Sequence, residues 1–151
     1  MATAQSELGF CYRRAGAYDE ARVLYDEALK RLTDRAELEL RAKTLLRLAA
    51  VESCSGRYGA SLRILRDSTE IFEGGVNHAL KGRFHNELGL VLRKLGTTER
   101  RRDYIDGAII EYTAAAFHFE ETGHTSYRAR AENNLGFLLH TVGRYDDARA
   151  P

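Results

Sequence analysis

Apolar residues along this chain recur at the spacing of an amphipathic helix, in blocks that repeat. Leu45, Leu48, Ala49 and Val51 fall on one helical face, and so do Leu88, Val91, Leu92 and Leu95. Read across the whole chain, the pattern predicts paired helices. The first helix of each pair spans 3 to 15, 36 to 55, 77 to 95 and 125 to 142. The second helices span 18 to 32, 58 to 73 and 103 to 122, with a stub from 145. The stretches "EGGVN" and "TGHT" supply turns between pairs, because glycine tolerates backbone conformations that other residues resist.

The blocks are copies of one phrase. Leu8-Gly9, Leu48-Ala49, Leu88-Gly89 and Leu135-Gly136 follow one another at spacings of 40, 40 and 47 residues. Seven residues after each small residue comes a glycine, at Gly16, Gly56, Gly96 and Gly143. An aromatic or aliphatic residue follows, with a small residue three further on: Tyr18 and Ala21, Tyr58 and Ser61, Ile105 and Ala108, Tyr145 and Ala148. The third copy carries the insertion "TTERRRD" at 97–103, which accounts for its longer spacing. The repeated glycines are expected to end each first helix in the left-handed conformation. Asp19, Glu20, Asp146 and Asp147 are expected in the first turn of the following helix, where the helix dipole favours negative charge. The small residues let neighbouring helices approach closely, and larger side chains there would wedge the pair apart.

These residues resemble the tetratricopeptide repeat. Its signature of Leu-Gly, Tyr, Ala, an aromatic residue and Ala is met by Leu8, Gly9, Tyr12, Ala21, Tyr25 and Ala28, and in large part by Leu88, Gly89, Ala108, Tyr112 and Ala115. The second copy is degenerate, with Ala49, Ser61, Leu65 and Ser68 in those places, and the usual Trp and closing Pro are absent. Spacing near 40 is similar to that of the longer-helix variety found in kinesin light chains and several bacterial regulators. The resemblance implies an all-α solenoid of antiparallel helix hairpins wound as a right-handed superhelix, with about seven helices and a truncated one at the C-terminus. Residues 1–151 are then expected to form a single repeat domain, with units at about 2–34, 35–75, 76–123 and an incomplete 124–151. The missing cover over Leu135, Leu138 and Leu139 favours a fragment of a longer array over pairing with a second copy.

Composition narrows the class without naming a partner. A chain of 151 residues with 44% hydrophobic and 30% charged residues and one proline fits one soluble, helix-rich domain. No apolar run approaches the length of a membrane span, and the N-terminus lacks the pattern of a secretory signal, so the expected location is cytoplasmic, with no membrane partner. Cys11 and Cys54 have no CxxC spacing and read as small buried hydrophobes, with no disulfide expected. The formal charge of +1 gives no push toward nucleic acid, and the consecutive Arg100, Arg101 and Arg102 read as a charged surface loop.

No catalytic constellation is present: there is no HExxH, no phosphate-binding glycine loop and no nucleophile elbow. No enzymatic activity, cofactor or metal is expected. His118, Glu121 and His124 come nearest to a metal set, but they sit at a helix end, where such side chains are ordinarily solvated.

The resemblance implies that the first helices line a concave groove. Carried over residue by residue, its groove places hold Arg13, Arg47, Asn86, Glu87, Leu90, Arg93, Asn133, Asn134 and Phe137, while Arg83 and Arg130 precede Asn86 and Asn133 by just under one turn. An asparagine amide both donates and accepts, so it can hold a peptide backbone of any sequence. The arginines beside it favour acidic side chains or a free carboxylate, and Leu90 and Phe137 supply apolar contacts. The expected role is a scaffold that takes a peptide of a protein partner in this groove. The alternatives are a peptide-sensing module controlling an attached effector domain, and self-association through the uncovered C-terminal face.

Overall fold

The computed structural model describes residues 15–31, 38–74 and 76–149. Among them are seven helices and no strand. They are α1 (Ala15–Arg31), α2 (Leu38–Cys54), α3 (Tyr58–Asp67), α4 (Thr69–Gly74), α5 (His78–Glu99), α6 (Arg102–Thr122) and α7 (Thr125–Arg149). The chain divides into two compact units, residues 1–80 and 81–151. No helix among the described residues is long and apolar enough to cross a membrane.

In the first unit α2 packs against both α1 and α3. Tyr18 and Tyr25 of α1 and Leu48 and Val51 of α2 are buried together, with Ala21, Leu29, Cys54 and Ile64 packed around them. The expected helix over 58–73 is broken at Ser68. Its hydroxyl donates to the Ile64 carbonyl at 2.6 Å, the kind of backbone bond that bends or interrupts a helix. The other serine of this degenerate copy is satisfied in the core: Ser61 Oγ donates to the Ala49 carbonyl at 2.8 Å and accepts from Ser53 Oγ at 3.0 Å. Hydroxyls therefore fit where the other copies carry alanine.

The second unit is organised by glycines seven residues apart. Gly82, Gly89 and Gly96 on α5 face Phe119, Tyr112 and Ile105 on α6, and a Cβ at these glycines would lie 2.7, 2.9 and 2.6 Å from those side chains. The two helices therefore run antiparallel, with a large side chain pressed into each glycine gap. The same stripe of α6, through Ala115 and Phe119, also buries against Ala131 of α7.

Four expectations need correction. Of the four repeated glycines, only Gly56 (φ 84°) takes the left-handed conformation. The amide of Gly56 donates to the Ser53 carbonyl and that of Arg57 to the Glu52 carbonyl, which together close α2. Gly16 and Gly143 lie inside α1 and α7. Gly96 lies inside α5, which runs on through the insertion until Arg100 (φ 54°) closes it, with the Arg101 amide donating to the Gly96 carbonyl at 2.9 Å. The inserted residues thus lengthen a helix by a turn, and Gly96 serves close packing instead of chain reversal. Second, Asp19 lies beyond the first turn of α1, which is already helical at Ala15, and it pairs with Arg22 and Arg57. Third, α7 continues past the place expected for the fourth turn, so the stub from 145 is the end of the same helix and Asp146 and Asp147 lie near its C-terminus. Fourth, Cys54 is disulfide-bonded, while Cys11 lies outside the described residues. The expectation of free thiols used sequence spacing, whereas a disulfide needs only that two Cα atoms come within about 5.5 Å in space.

Candidate functional site

Arg83, Asn86, Glu87, Leu90 and Arg93 lie on one face of α5, because steps of three and four residues return to the same side of a helix. All five are half-buried. Among the described residues, the Asn86 Oδ1 and Arg93 Nε atoms are buried without a hydrogen-bond partner, and the hydroxyl of the fully buried Tyr112 is in the same condition. Gly89 admits the Tyr112 ring against α5. Arg93 acts electrostatically on the tyrosine hydroxyl, though without a hydrogen bond of normal geometry. Burial raises the Tyr112 hydroxyl above its ordinary range, against a smaller opposing pull from Arg93. The Glu87 carboxyl is pushed up by burial to about 7, with Arg83 opposing. An acidic residue on this face is therefore close to half-neutral near neutrality.

From α7, Phe137 stands 60% exposed with the Arg93 guanidinium 5.9 Å from its ring centroid. Asn134 is half-buried and Asn133 exposed. Arg130 is exposed and lies 5.6 Å from the Tyr127 ring centroid. The second unit thus joins Arg83, Asn86, Leu90 and Arg93 on one helical face, with Phe137 in contact. Arg47, expected to line the groove, is 8% exposed and belongs to the buried set of α2. Arg13 lies outside the described residues.

Two features escaped sequence reasoning. Tyr112 reads as a core aromatic, which it is, but its hydroxyl reaches polar company. His85 Nδ1 lies 2.6 Å from Glu111 Oε2, and its ring stacks on His118 with centroids 5.4 Å apart. These residues stand too far apart in sequence for any local pattern to pair them. His124 is exposed and edge-on to Tyr127, so the structure does not gather His118, Glu121 and His124. No group of three His, Cys, Asp or Glu among the described residues could hold a metal ion.

Antiparallel helices in sequence-repeated pairs, zipped by small residues against large ones, define a helical-hairpin repeat protein. A family model for the tetratricopeptide repeat matches residues 1–74, and this stretch of the chain belongs to that family. Neither a curated protein nor a solved structure matches the chain. Membership points to a role in protein–protein interaction.

Proposed function

We infer that the protein is an interaction scaffold that holds a peptide segment of its partner against the α5 face formed by Arg83, Asn86, Leu90 and Arg93, with Phe137 beside it. The observation that supports this most is that Asn86 and Arg93, half-buried on one face of α5, each carry a polar atom without a hydrogen-bond partner among the described residues. A peptide chain brings N–H groups for an asparagine oxygen and carbonyls for an arginine, which these side chains would meet by turning outward. The guanidinium groups favour segments with acidic side chains or a free carboxylate, and Asn133, Asn134 and Arg130 would extend the contact along α7.

Fluorescence anisotropy with labelled acidic peptides tests this reading. Asn86→Ala and Arg93→Ala should each weaken capture by about tenfold or more, with helicity unchanged by circular dichroism. Added salt should weaken capture further. Unaltered affinity in both variants would defeat the assignment.

A second reading is favoured by Leu139, which is 51% exposed on α7. Self-association through this side of the helix would cover it. Light scattering across a concentration series decides it, and a mass that stays monomeric removes it.

A further inference from the structure

The insertion that lengthens the third copy helps to enclose a cavity. A space of about 70 Å³ lies among the end of α5, the start of α6 and the last turns of α7, with Gly96, Ile105 and Val142 as apolar walls and Thr97, Thr141 and Arg100 around them. Arg101 and Arg102 also border it, but both are committed. Arg101 grips Asp103 through Nε at 3.1 Å and Nη2 at 2.6 Å, with its guanidinium 3.8 Å from the Tyr104 ring centroid. Arg102 Nε donates to Asp106 at 3.0 Å. Among the described residues Arg100 forms no ion pair, so the charges at the rim reduce to one available cation. Arg100 is also held in place by the backbone, since it closes α5 in the left-handed conformation.

These features select a ligand class. One uncommitted guanidinium matches one negative charge, whereas a dianion would leave a charge facing apolar walls at considerable cost. The volume is about half that of the 150 Å³ apolar cavity known to accept benzene, so it suits a branched aliphatic body of about four carbons. We propose that this cavity binds an aliphatic monocarboxylate, its branched body against Ile105 and Val142 and its carboxylate on Arg100. Two sources share this chemistry, a free short-chain acid and the C-terminal residue of a peptide. The site is independent of the α5 face that carries Asn86.

Isovalerate and N-acetyl-leucinate serve as probes, titrated into the full chain while backbone amide resonances are followed by NMR. Saturable shifts at Thr97, Ile105 and Thr141 are expected. Tighter binding of N-acetyl-leucinate identifies a peptide C-terminus as the source, and tighter binding of isovalerate a free acid. Arg100→Gln should weaken binding at least about fivefold, and Val142→Phe should abolish it by filling the space. Should Val142→Phe lose helicity, Thr141→Leu narrows the same space from the surface. Equal affinity for the methyl ester of isovalerate, tighter binding of inorganic phosphate, no effect of Arg100→Gln, or the absence of saturable shifts with both acids would each overturn the proposal.

Discussion

Gly89 and Gly136 occupy the same place in two copies of one phrase, yet their surroundings differ. A Cβ at Gly89 would meet the Tyr112 ring at 2.9 Å, whereas nothing lies within 4 Å of one at Gly136. Gly89→Ala should therefore destabilise the protein by about 1–3 kcal/mol, because the ring has no room to retreat inside a packed hairpin. Gly136→Ala should be neutral or stabilising by up to about 1 kcal/mol, through the better helix propensity of alanine. Thermal unfolding of the two variants side by side checks both, and equal effects would contradict the glycine-gap packing. At this scale the sequence was a partial guide. It marked Gly89 and Gly136 alike as close-approach positions, and of the two only Gly89 meets a neighbour among the described residues. It could not say that Gly96 is needed for packing against Ile105 while Gly56 is needed for its positive φ, because both uses leave the same letter. Nor does register give burial: Arg47 falls at an expected groove place and is 8% exposed.

Among elements, the first hairpins are fastened by an ion cluster that no helical periodicity announces. Glu52, with its side chain 6% exposed near the end of α2, accepts from Arg22 Nε of α1 at 2.6 Å and lies 3.5 Å from Arg57 in the turn before α3. Asp19 closes the cluster by pairing with both arginines. Both arginines thus contact both acids. Glu52→Ala should cost about 1–2 kcal/mol, since it removes a buried acceptor shared by two arginines that keep Asp19 as a partner. Arg57→Ala, at a half-exposed position, should cost less than about 1 kcal/mol. Urea unfolding gives both values, and a Glu52 variant as mild as the Arg57 variant would show the cluster to be ornamental. The break at Ser68 belongs to the same scale. Helix length was legible from apolar spacing, but the interruption at Ser68 was not.

Over the whole molecule, folding is linked to pH through Glu87. Its carboxyl is raised by burial from the ordinary 4.5 to about 7 in the folded chain. The folded state therefore holds this proton more tightly than the unfolded one. The resulting stabilisation is complete below about pH 4.5 and disappears as pH rises through about 7. Its size is up to about 3 kcal/mol. Between pH 5 and pH 8 the protein should lose stability, and Glu87→Gln should flatten that slope and raise stability at pH 8. Asp103 works in the opposite sense, because Arg101 holds it below its ordinary 3.8, outside this window. Denaturant titrations at both pH values test the linkage. An unchanged slope in Glu87→Gln would remove Glu87 as its source.

What the sequence determined by itself is the hairpin: the amphipathic helices, their pairing, and the resemblance to the tetratricopeptide repeat, which a family model bears out over residues 1–74. These follow from periodicity, because a repeat distance of three to four residues carries burial along a helix without reference to anything distant. Tertiary structure decided the rest. It ran α5 through the insertion to Arg100 and kept α7 straight past Gly143. It also left Asn86, Arg93 and Tyr112 with unmatched polar atoms and set Arg100 at the mouth of a cavity. Each of these outcomes depends on a neighbour remote in sequence, and a glycine or an arginine has the same chemistry whether that neighbour is present or not.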